Sequence, residues 1–214
     1  MATRKTIEIL ADNIKLNVLS SKKTKAETKH VLTIEILWPR PTIQTKTYAR
    51  VITLANGQFS PSEQDWLNKI LAKETTEGQF GVKIGISSAM TNDMLNKFFK
   101  SLFKTTFGLI ADTVEDIPAS KFTGKLLSTP FDFIASNVEI TEEEIAACEF
   151  VVDTNSFKKE AIQQTITVPL VATKDLVKIS STTTGTKATR PTKKQILLRE
   201  GDHNGAITLT ITAS

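Results

Sequence analysis

Few side chains in this sequence have chemical capacity, and their spacing is unhelpful to chemistry. The two histidines, His30 and His203, lie far apart in the chain, and Cys148 is the one cysteine. Zinc sites draw three or four His, Cys or carboxylate ligands from short spacings, so the pattern implies no metal and no cofactor. Asp202-His203-Asn204-Gly205 offers oxygen donors, but lacks the alternating ligands and closing glutamate of a calcium loop. Between strand-like segments it reads as a turn. Gly78-Gln79-Phe80-Gly81 and Gly81-Val82-Lys83-Ile84-Gly85 match neither phosphate-binding glycine pattern. With a strand rather than a helix expected after them, they present no helix N-terminus to an anion.

A nucleophile would have to be Cys148 or a serine beside a histidine. Cys148 sits among Ala146, Ala147 and Phe150, the surroundings of a small buried hydrophobe. A pair with His30 or His203 would have to be made by the fold. Glu142, Glu143 and Glu144 follow Thr141 as the acidic first turn of a helix would, which accounts for them without acid–base work. No catalytic residue is assigned. An enzyme would need scattered groups such as Asp112, Glu115, Asp116 and His203 to converge.

The strongest functional pattern is amphipathic. From Asn92 to about residue 115, Leu95, Phe98, Phe99, Leu102, Phe103, Phe107, Ile110 and Val114 recur at helical spacing, with Lys97, Lys100 and Lys104 on a polar side. Lys97, Phe98, Phe99, Lys100, Phe103 and Lys104 therefore form the candidate interaction surface. Such a stripe serves a protein partner, a second copy or an anionic membrane surface. The plainer reading is a helix covering a sheet of its own chain, its lysines facing water.

Composition narrows the classes. The chain has 214 residues, 40% of them hydrophobic, enough for one core. A net charge of +4 from 27 basic and 23 acidic residues is spread out, unlike the clustered footprint of a nucleic-acid binder. The lone cysteine rules out an internal disulfide. Glu8, Asp12 and Lys15 break any leader-like apolar run, and no stretch reaches the ~20 apolar residues of a membrane helix. A cytoplasmic location is expected, and leaderless export is compatible with the same features.

The elements that must position these groups are mostly strands. Period-two alternation marks 6–10, 14–19, 31–38 and 45–54, the last ending at Asn56-Gly57. Pro39 and Pro41 stop the third of these. Ser60-Pro61-Ser62-Glu63 opens a helix carrying Trp66, Leu67, Ile70 and Leu71 on one face and ending before Gly78. A strand at 79–87 precedes the long helix, which Pro118 ends. Strands are expected at 121–128 and 131–138, then a short helix from Thr141 to about Cys148. Strands follow at 150–153, 161–171, 176–181, 195–199 and 206–212, with a mobile Thr- and Lys-rich loop at 182–194.

The expected fold is a single α+β, mainly β, domain over 1–214. It is an antiparallel β-sandwich with two or three inserted helices, the helical insertion spanning about 60–117. The expected function is a non-catalytic interaction or structural module within a larger assembly. The alternatives are a membrane-surface or lipid-binding domain and an enzyme assembled only by the fold.

Overall fold

The structure is a computed structural model; it describes residues 4–20, 25–39, 45–59, 61, 69–95, 97–98, 144–157, 162–181 and 192–214. Eleven strands are described: β1 (Lys5–Leu16), β2 (Glu27–Leu37), β3 (Lys46–Ala55), β4 (Gln58–Phe59), β5 (Ile70–Thr76), β6 (Gln79–Ser87), β7 (Glu144–Asp153), β8 (Gln163–Val171), β9 (Leu176–Ser181), β10 (Thr192–Leu198) and β11 (His203–Ala213).

Eight of them close an antiparallel barrel in the order β1, β11, β8, β7, β6, β2, β3, β4 and back to β1. This replaces the expected sandwich. Period-two alternation is the same in both architectures; pairing of the first strand with the last decides between them. Ile7 faces Ala213 and Leu16 faces Gly205, so β1 and β11 run together over nearly their full length. Thr6 and Ser214 continue the ladder beyond the strand ends, through N–H···O bonds of 2.8 and 2.9 Å. The other edge of β1 is shared: β5 pairs with its first half and the two-residue β4 with its second. Asn56 and Gly57 turn β3 into β4 with φ of 49° and 80°, the primed hairpin geometry that Asn-Gly favours.

The barrel is filled, not hollow. Ile9, Ile14, Leu32, Ile34, Ile84, Ile86, Ile207 and Leu209 point inward and are 0–1% exposed, each worth roughly 1.5–3 kcal/mol in burial. The intervening positions face out; on β8 and β11 they are mostly polar, whereas Val31, Ala49 and Val51 make an apolar patch on the outside of β2 and β3. Thr165 meets Thr210 and Thr167 meets Thr208 across β8 and β11, with hydroxyl separations of 3.2 and 3.1 Å. This apolar-in, polar-out alternation is the reverse of what a membrane-spanning barrel presents. Among the described residues no helix is long and apolar enough to cross a membrane.

Among the described residues helix is scarce, which corrects the expectation of an α+β fold with two or three inserted helices. Lys69 is helical, but the chain passes directly into strand at Ile70, so Ile70 and Leu71 belong to β5 and not to a helix face. There Ala72, Glu74 and Thr76 alternate with Lys73 and Thr75, and β1 supplies the ladder that outweighs local preference. Glu144 to Cys148 likewise begin β7, because β6 pairs with them from Ser87 back to Ile84. The acidic cap signal loses to that tertiary pairing. The long-helix stripe is described only at its start: 92–95 and 97–98 are helical, with Thr91 accepting from Met94 N at 3.3 Å and Leu95 N at 3.0 Å. The remainder of that stripe, Trp66 and Leu67, and the strands expected at 121–138 lie outside the described residues. Of the loop expected at 182–194, residues 192–194 belong to β10, Thr192 opposite Ser181, and the rest lies outside the described residues.

Candidate functional site

Among the described residues β3 reaches β1 only through the two-residue β4, and β7 meets β8 in a seam of one bridge. On one side of it, β6 and β7 pair from Gln79 opposite Asp153 to Ser87 opposite Glu144. On the other, β8 and β11 pair from Val171 opposite His203 to Gln163 opposite Thr212. Between β7 and β8 the ladder is a single bridge, Ala147 opposite Val171. Below that bridge Cys148 to Asp153 and Gln163 to Leu170 have no cross-strand partner toward the seam among the described residues. Pro169 lies on this stretch of β8, as suits a strand with an unpaired edge, since proline brings no donor.

Burial follows the pairing. Phe150, Ile166 and Val168 pack on the core but stay partly exposed, whereas Ile84 and Ile86, one strand inward, are 0% exposed. Val151 and Val171 stand beside the opening at 68% and 41% exposure. The lower end is held by side chains. Asp153 caps a 3-10 turn, Thr154–Ser156, by accepting from Asn155 N at 2.8 Å, and Gln164 Nε2 reaches Ser156 Oγ at 3.1 Å. Lys5 Nζ donates to the carbonyls of Thr154 (3.1 Å) and Phe157. The result is a slot tied at both ends, with two strand edges along its sides.

Beside the upper tie, a two-stranded arm leaves the barrel. β9 and β10 form a sheet of their own, Leu176 opposite Leu198 and Ser181 opposite Thr192. Its root is firm. Leu176 is 1% exposed, Leu197 and Leu198 pack on the core, Asp175 accepts from Glu200 N at 2.9 Å, and Asp202 accepts from Arg199 N at 2.8 Å. Farther out Ile196 is 52% exposed and Lys178 and Lys194 face water.

The buried polar groups are structural. His30 Nδ1 lies 2.8 Å from the Ser87 carbonyl and Nε2 lies 2.8 Å from Thr28 Oγ1. A carbonyl only accepts, so Nδ1 carries the proton and the neutral ring accepts at Nε2. Burial holds His30 below its ordinary pKa, against the opposing effect of that carbonyl. Glu74 takes both a bidentate Lys46 (2.9 and 2.8 Å) and the Tyr48 hydroxyl. These side chains tie β3 to β5, which share no ladder among the described residues. Arg50, buried nearby, is pulled below its usual value by desolvation. Burial raises the Glu144 carboxyl, chiefly by desolvation. Trp38 packs on Phe80 at 5.6 Å, and its buried Nε1 has no partner among the described residues.

Asn204, read only as part of a turn, is a clip the sequence did not disclose. It is 0% exposed, accepts from Val18 N at 2.8 Å, and donates to the Val18 and Ile145 carbonyls at 3.2 and 3.3 Å. The signal for it was an asparagine before a glycine at the head of an apolar strand, which turns also produce.

Of the candidate interaction surface, Lys97 is exposed and Phe98 is turned inward, packing with Val31, Met90 and Leu95 on the outer face of β2 and β3. Phe99, Lys100, Phe103 and Lys104 lie outside the described residues, as do Asp112, Glu115 and Asp116. Cys148 stands opposite Ile84 on β7; desolvation, reinforced by Glu149, pushes its thiol up to about 12. Both ring nitrogens of His30 are engaged, and His203 is exposed at the start of β11. Among the described residues no three His, Cys, Asp or Glu side chains are grouped to hold a metal. Set against known families, curated proteins and solved structures, the chain matches none.

Proposed function

We propose that this protein is a non-catalytic assembly module, cytoplasmic in location, whose barrel presents an open strand edge to a partner. The β7–β8 seam carries the reading. Here two strand edges, bordered by half-exposed apolar side chains, share one bridge and have no other ladder partner among the described residues. Unpaired edges recruit strands, by main-chain hydrogen bonds plus pockets for alternate side chains. The membrane-surface reading needs the phenylalanine face of the helix free, and Phe98 is committed to the barrel.

Sizing chromatography with light scattering, run on the pure chain and after incubation with cell extract, tests the proposal. A higher-mass species lost on substitution of Val151 by lysine is the expected result. A chain that stays monomeric and recovers no partner in either condition defeats it.

A further inference from the structure

We infer that the β7–β8 seam receives the β9–β10 arm of a second copy of this chain, an inference that rests on the assembly reading above. Charge selects the occupant. β9 and β10 together hold Lys178, Lys193 and Lys194 and no acidic residue. Along the seam, β7 holds Glu144, Glu149 and Asp153 and no basic residue, while β8 holds no charge. Lys83 stands opposite Glu149 on β6 and offsets part of that field, leaving the edge acidic.

Backbone geometry agrees with charge. The open stretch of β7, Cys148 to Asp153, is matched in length by β10, Thr192–Leu198, so that strand of the arm can pair along it. A two-stranded ribbon alone in water is marginal, and this one carries Ile196 at 52% exposure. Docking would cover Ile196 against Val151 and give the arm a third strand. Arm and seam are different patches on one molecule, so the contact is head-to-tail. Repetition then builds a ring if the rotation closes and a filament if it does not.

The test uses the full chain with paired charge reversals, all at exposed or half-exposed positions. Sedimentation velocity at low salt should show self-association that weakens as salt is raised. Glu149→Lys with Asp153→Lys, or Lys178→Glu with Lys194→Glu, should each weaken it by about tenfold or more. Mixing the two reversed proteins should restore association between them and not within either. Independently, Val151→Cys and Ile196→Cys in one chain carrying Cys148→Ser should give a disulfide-linked ladder under mild oxidation, and either substitution alone should give no cross-link through this contact.

Oligomers that ignore both reversals overturn the arm-in-seam contact and leave the assembly reading intact. A chain monomeric at high concentration also overturns it; the assembly reading then stands only if a different protein is captured by wild-type chain and lost with Val151→Lys.

Discussion

The β1–β11 junction and the β7–β8 junction flank the β8–β11 ladder of one barrel, both antiparallel, and they are held in opposite ways. β1 is bonded along both edges, to β11 on one side and to β5 and β4 on the other, and its inward residues Ile7, Ile9 and Ile14 are 0–1% exposed. β7 and β8 share one bridge, and along the opening Phe150, Ile166 and Val168 stay half-buried beside the buried Cys148, Val152 and Leu170. The contrast teaches that closure is concentrated where the chain's first and last strands meet. The second seam contributes little to the fold and is therefore free to be used.

Hydrogen exchange should show the largest separation between the two. Along β1, amides of residues 7–10 are bonded to β11 or β5 and should exchange only with global unfolding. Within 148–153 and 163–170, every second amide points into the open seam and should exchange several orders of magnitude faster. Uniform protection along β7 would erase the distinction drawn here.

Breaking the strong junction should be costly. Gly205 has φ of 133°, and a Cβ there would lie 1.9 Å from the Lys15 carbonyl oxygen, backbone that cannot retreat without opening the β1–β11 ladder. Gly205→Ala should lower stability by about 3 kcal/mol or more, read as a fall in denaturation midpoint. A loss under 1 kcal/mol would show that the ladder is not the principal closure.

Asn204→Ala should cost about 2 kcal/mol, since it leaves Val18 N–H and the Val18 and Ile145 carbonyls without their side-chain partner. Because Ile145 belongs to β7, this variant should also speed exchange across the upper tie of the seam. Faster exchange confined to β11 would place the clip on the strong junction alone.

The smallest effect is on pH. His30 is neutral and buried with its pKa lowered, so the unfolded chain binds its proton first, and stability falls as pH drops below 6.5. Glu144, raised from 4.5, acts with opposite sign: its contribution is present below 4.5 and lost as pH rises through the folded value. Melting temperature between pH 7 and 5 should therefore decline in the wild-type chain and decline less in His30→Gln. Equal slopes would remove His30 as the cause.

Much of the strand content was legible, for reasons visible in particular residues. Ile14 and Leu16, and Ile207, Leu209 and Ile211, alternate with polar neighbours, and that alternation is what burial on one face requires. Asn56-Gly57 announced its turn. Closure was not legible, because no local pattern says that Ile9 will face Ile211 some two hundred residues away. Two helix readings failed where local caps competed with distant ladders, at Ile70–Leu71 and at Glu144–Cys148. The seam was invisible for the same reason: Phe150, Ile166 and Val168 look like ordinary core residues until their neighbours are known. What sequence did supply was the charge contrast between the basic 176–198 stretch and the acidic β7, though its meaning needed the topology.

The lateral contact of β11 with both β1 and β8 has a kinetic side. Translation delivers β1 some two hundred residues before the strand that completes its ladder, so the apolar face of Ile7, Ile9 and Ile14 has to wait without its final neighbour. Contacts of such long sequence separation make for slow folding and a prolonged interval of exposed edges. In this molecule chaperone demand should be set by when residues 203–213 emerge, and nascent chains halted before them should be the aggregation-prone species.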